Sequence, residues 1–214
     1  GFGLGVFVQP MEGVTYIQFI APALVATSMM FSSFFECTYA SFVRMYYQKT
    51  FDAIIATPIS LEEVIAGELL WGATKSLINS TIVLTVCAVF RLTPSPLFLF
   101  AVPLSFIVGL LFASLAMCFT AISPNIDSFN YPVFLLMTPM FLLSGTFFPL
   151  TALPTGVQIV AQLFLPLTHA VSITRGLVLG RLELSLLFSL VWLLAVTPVF
   201  FVVSINLMKR RLVK

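Results

Sequence analysis

Residues 149–183 read PLTALPTGVQIVAQLFLPLTHAVSITRGLVLGRLE, and whether this stretch crosses a membrane decides how the chain is threaded. It is apolar enough to pass for a span, but Pro154, Pro166, Gly176 and Gly180 cut it into short pieces. At about 10 to 12 residues each, the pieces have the length of re-entrant or interfacial helices. The charges elsewhere separate the two threadings. If the stretch returns to the side it entered from, Arg44, Lys49 and the basic residues from Lys209 to Lys214 share one face, with Arg91, Arg175 and Arg181 opposite. Six basic residues against three follows the positive-inside tendency, whereas a crossing would place the basic tail outside. The expectation is a re-entrant segment over about 150–182.

Composition makes the membrane the only reasonable solvent. Hydrophobic residues are 60% of the chain and charged residues 8%, with a mean hydropathy of +1.11. Soluble domains carry about 25% charged residues, so a water-facing surface cannot be built here. The 23 Phe suit a lipid-facing exterior. At about 20 residues per span, 214 residues supply five or six transmembrane helices once loops are allowed.

The charges delimit five spans, at about 16–42, 65–90, 97–122, 131–148 and 184–208, entering from outside and ending inside. Asn130 with Pro132 resembles a cap and first turn for the fourth. The apolar opening, Gly1 to Val8, is too short to span and lacks the basic start of a signal peptide. It reads as the tail of an earlier, truncated helix. The fold class is thus all-α and polytopic, in a single domain over 1–214, with both termini cytoplasmic once the lost helix is counted.

Between the first two spans, residues 48–58 read as a short amphipathic helix that Thr57, preceding Pro58, brings to a stop. Ser60-Leu61-Glu62-Glu63 is a capping box that starts the next span. A helix lying flat on lipid is one reading of 48–58. Asp52 near its middle and Lys49 as its one cation suit anionic headgroups poorly, and a rigid knob offered to a cytosolic partner fits better.

Gly67-Glu68-Leu69-Leu70-Trp71-Gly72-Ala73-Thr74-Lys75-Ser76 superficially resembles a phosphate-binding loop. In that motif Lys follows the second Gly directly, on a loop leaving a strand; here Lys75 comes late and the surroundings are helical. Any ATP hydrolysis therefore belongs to another polypeptide, and no cofactor is expected on this one. Glu36, Glu68 and Lys75 are ionisable groups within or near hydrocarbon, where such residues are costly. Glu68 and Lys75 lie two turns apart, and Glu36 is at a depth that suits a Glu36–Lys75 pair between neighbouring helices, for packing or for gating. His169 stands alone, as a hydrogen-bonded structural residue or a proton relay. Three dispersed cysteines match neither disulfides nor zinc-ligand spacing, and no metal site is expected. Phe129, Tyr131, Phe134, Phe141, Phe147 and Phe148 form either a lipid-facing surface or an aromatic wall for sugars or lipid chains.

The chain as a whole resembles the permease subunit of type-2 ABC exporters. The resemblance rests on Phe35-Glu36-Cys37-Thr38-Tyr39 with Arg44-Met45, Gln48 to Ala53 and Thr57-Pro58; on Leu143-Ser144-Gly145-Thr146-Phe147-Phe148-Pro149; and on Leu153-Pro154 followed by Pro166-Leu167-Thr168-His169 and Arg175. The first block, with Gly67 to Trp71 and Ala73 to Ser76, is similar to the nodulation (NodJ-like) lipooligosaccharide exporter branch. The resemblance implies a homodimer of six-helix permeases in the bacterial inner membrane, C-terminus cytoplasmic, with ATP and Mg held by a separate ABC ATPase subunit. It implies a coupling helix carrying Lys49, Thr50, Phe51, Asp52, Ile55 and Pro58, and outer re-entrant helices at 155–165 and 168–179 with Pro166, His169 and Arg175. A lipid-linked or oligosaccharide substrate is implied, and no nucleic acid. Two other classes stay open from the residues alone: a membrane-embedded glycosyl or acyl transferase, which would want clustered carboxylates or His, and an ion-coupled carrier, which would want ionisable groups in several spans.

Overall fold

The computed structural model describes residues 13–212; the expectation for Gly1 to Val8 lies outside them. Among the described residues, five helices are long and apolar enough to cross a membrane: α1 Tyr16–Tyr47, α3 Leu61–Val89, α4 Pro96–Ile122, α5 Ile126–Leu143 and α8 Leu184–Leu212. A six-residue helix, α2 Thr50–Ile55, joins α1 to α3. Between α5 and α8, α6 Thr155–Phe164 and α7 Pro166–Leu179 bend against each other by 91°.

Local chemistry sets the ends. Thr15 caps α1 in a capping box with Gln18, and Ser60 and Glu63 do the same for α3, with Glu63 Oε2 accepting from the Ser60 amide at 2.7 Å. α1 runs five residues past the expected boundary at 42, through two π-helical stretches, Glu36–Ala40 and Val43–Tyr47. Arg44 does not end it because its side chain is paired inside the fold rather than released to water. Lys49, in the left-handed region at φ 51, then breaks the chain direction, so α2 is shorter than the expected 48–58. α5 starts and stops about five residues before 131–148. The Asn125 side chain accepts from the Ser128 amide at 3.0 Å, capping the helix ahead of Asn130, and Gly145, at φ 73, turns the chain out after Leu143. The last span reaches Leu212, taking Lys209, Arg210 and Arg211 into its final turn, where cations suit the helix dipole.

α4 is the central element and packs most extensively on α8, α3 and α1. It approaches α3 closely because Gly109 has no side chain: a Cβ there would stand 2.4 Å from Ser76 Cβ. The Ser76 hydroxyl sits between the Met29 and Ser105 carbonyls, at 3.1 Å from each, joining α1, α3 and α4. α1 is the most buried span; α5 and α8 are largely exposed, as lipid-facing or subunit-facing helices are. The α6–α7 hairpin sits on the end of the bundle opposite α2. There Arg175 stacks on Phe19 near the start of α1, and Gly180 lies beside Ser95 ahead of α4. Chain enters and leaves the hairpin at that same end.

Candidate functional site

The most unusual chemistry lies between α1 and α3. Lys75 Nζ is 2.6 Å from Glu36 Oε2, and Arg44 Nη1 is 2.9 Å from Glu36 Oε1. Arg44 also forks onto Glu68, Nε to Oε1 at 2.9 Å and Nη2 to Oε2 at 2.5 Å. Ser41 Oγ donates to Glu68 Oε2 at 2.5 Å and Trp71 Nε1 to Glu36 Oε1 at 3.0 Å. The charges cancel: two carboxylates, one guanidinium, one ammonium. Glu36 is buried at 6% exposure, and Lys75 is the outermost at 45%. Lys75 also stands at the midpoint of α3.

The expected cluster lacks Arg44, because in the sequence it follows the apolar run and reads as the start of a loop. In a helix of 3.6 residues per turn, eight residues would leave Arg44 about 80° off the face of Glu36. The wider i→i+5 turns of Glu36–Ala40 and Val43–Tyr47 bring it back over Glu36. Glu68 is correspondingly held by Arg44, while Lys75 serves Glu36 alone.

Below the cluster, α2 presents Lys49, Asp52, Ile55 and Pro58 outward, with Thr50 half-buried. Phe51 departs from the expected docking set. It is 1% exposed and inserted in the core, so it anchors α2 and is not available to a partner. Beside α2, Met45, Tyr46, Lys49, Asp52, Arg211 and Leu212 line a cleft of mixed polar and apolar character. The end of α8 is tied in here: Lys209 Nζ lies 2.5 Å from Glu62 Oε1, and Arg211 donates to the Thr120 and Ser123 carbonyls and lies over the Phe42 ring.

At the other end, His169 is enclosed. Its Nε2 is 2.8 Å from the Gln162 carbonyl, which can only accept, so Nε2 carries the proton and Nδ1 accepts from Ser189 Oγ at 3.1 Å. The ring stacks on Trp192 at 4.4 Å. His169 thus ties α7 to α6 and α8. Arg175 Nη2 donates to the Gly145 carbonyl at 2.8 Å while its guanidinium lies 3.8 Å from the Phe19 ring centroid. Pro166 occupies the first turn of α7.

The aromatic residues do not make one wall. Phe129 is buried against Tyr39 and Phe42, at 5.2 and 5.4 Å, whereas Phe141 and Phe147 pair 4.9 Å apart and Tyr131 and Phe134 face outward. Among the described residues no group of three His, Cys, Asp or Glu is placed to hold a metal.

Residues 2–179 match the family described as ABC-2 type transporter. Nodulation protein J of Sinorhizobium fredii (strain NBRC 101917 / NGR234) is 39% identical over 214 residues, covering 99% of this chain and 80% of that protein. Nodulation protein J of Rhizobium leguminosarum bv. viciae is 38% identical, over 100% of this chain and 82% of its own length. The inner membrane transport permease YadH of Escherichia coli (strain K12) is 22% identical over 207 residues, 97% of this chain and 80% of that protein. No solved structure matches. With five long apolar helices among its described residues and a family match over most of its length, the chain belongs to the ABC-2 type transporter family, as a multi-pass membrane subunit.

Proposed function

We propose that the chain is the membrane subunit of an ATP-driven exporter, moving a lipooligosaccharide or similar amphipathic substrate out across the bacterial inner membrane. Two copies pair in the membrane, the C-terminus is cytoplasmic, and a separate ABC ATPase supplies the hydrolysis. The observation that carries this reading is α2. It is a short helix held rigidly by the buried Phe51, with Lys49, Asp52, Ile55 and Pro58 turned away from the bundle. The outward face of such a knob, unlike Phe51, has no packing role toward its own chain. The helix follows the π-helical end of α1 after a break of only two residues, so a push on α2 acts on Arg44 and, through Glu36 and Glu68, on α3. The family supports the transport role and the ATPase partner. The inner membrane and the word transport are in the name of the Escherichia coli relative, and nodulation is in the names of the more similar ones.

The test is capture of the ATPase by the full-length chain. Charge reversal at both Lys49 and Asp52 (Lys49→Glu with Asp52→Lys) is expected to abolish co-purification while leaving the permease folded. ATPase recovered at wild-type yield would remove α2 as the docking element.

A further inference from the structure

Beside the ion cluster, and sharing Trp71 and Lys75 with it, α3 carries a polar stripe that continues to Asn79. Trp71, Lys75 and Asn79 follow at four-residue spacing, so they stack along one face, and all three are exposed. They edge a groove of about 510 Å³ between α1 and α3, with Glu36 in its wall and Tyr39 at its side, and exposed Ile78 and Ile82 extend it. Lys75 lies about 21 Å along α3 at 1.5 Å per residue, well inside the span. The Asn79 amide and the Tyr39 hydroxyl make no hydrogen bond among the described residues. Polar groups at this depth are costly facing lipid and ordinarily face protein, water or a ligand.

We propose that this groove binds the head of an uncharged alkyl saccharide, with the alkyl chain lying along Ile78 and Ile82. The proposal rests on the export reading above and names a binding point for its substrate class. The lining decides the chemistry. Glu36 holds the Trp71 indole through Nε1, fixing an aromatic ring against which the C–H face of a sugar stacks. Lys75 gives one of its three N–H groups to Glu36 and has two left for hydroxyls; Asn79 offers both a donor and an acceptor. Glu36, Glu68, Arg44 and Lys75 together carry no net charge, so there is no surplus cation to favour a phosphate over a neutral polyol.

The test uses the full-length chain with its ATPase in lipid nanodiscs, without ATP, and a decyl maltoside carrying a photoreactive diazirine in its chain. Adducts are mapped by mass spectrometry. Labelling is expected to concentrate at Ile78 and Ile82, to be competed by dodecyl maltoside and to resist dodecylphosphocholine. Asn79→Leu is expected to lower it about tenfold, the loss of one or two hydrogen bonds, and Asn79→Gln to keep it. The exposed Val199 and Val202 of α8 serve as the internal standard for plain lipid contact. Labelling at Ile78 and Ile82 no stronger than at that standard, or competed equally by both detergents, overturns the proposal. So does a groove covered by a second copy, read as Asn79→Cys disulfides between subunits. Because binding is read without ATP, such a failure leaves the ATPase-capture test untouched.

Discussion

Replacing Arg44 with Gln probes the α1–α3 cluster most sharply. Among the described residues, the substitution strips Glu68 of its one cation and takes one of two from Glu36, which is 6% exposed. Removing one partner of a fully buried ion pair costs about 3–5 kcal/mol. Arg44 is 25% exposed and Glu68 15%, so solvent screens part of that loss and about 2–3 kcal/mol is expected. At roughly 2–4 °C per kcal/mol for a domain of this size, the unfolding midpoint should fall by about 4–12 °C. The buried thiols of Cys37 and Cys87 make a thiol-reactive fluorogenic dye a suitable reporter for the full-length chain heated in detergent. Adding Glu68→Gln to Arg44→Gln should restore part of the loss, because the stranded carboxylate is gone while Lys75 still serves Glu36. Arg44→Lys should fall between, since an ammonium keeps the charge but not the fork. An Arg44→Gln midpoint equal to wild type would refute the reasoning. So would a double variant less stable than the single.

Other substitutions test separate contacts. Gly109→Val should destabilise by about 1–3 kcal/mol or more, read in the same melt, because even a Cβ meets Ser76 at 2.4 Å. Phe51→Ala empties a buried site worth about 3 kcal/mol or more, so opening of α2, read as tryptic cleavage after Lys49, should rise on the order of a hundredfold. Arg211→Ala leaves the Thr120 and Ser123 carbonyls without that donor, and hydrogen exchange at the end of α4 should accelerate, with the start of α4 unchanged.

Much of the architecture is legible in the sequence because membranes impose coarse rules. Span length, the capping box at Ser60 and the breakers around Pro166 are local signals, and the helices stand where these signals fall, with shifted ends. The shifts have physical causes. Arg44 looks like the edge of a loop until π-helical winding, which no propensity encodes, turns it onto Glu36. Asn130 looks like a cap until Asn125, five residues earlier, captures the Ser128 amide. Phe51 sits in a polar stretch, and only the tertiary fold shows that its ring points into the core. The polar stripe of α3 is hard to see in the sequence because Trp71 and Asn79 are unremarkable singly; their four-residue spacing around Lys75 is the available signal.

ATP-driven movement of a fluorescent lipooligosaccharide in proteoliposomes, with full-length permease and its ATPase, tests the transport role most directly. Transport should require ATP, stop with a catalytically inactive ATPase, and stop again when Lys49 and Asp52 are reversed in charge. Movement at an undiminished rate with the inactive ATPase would contradict it.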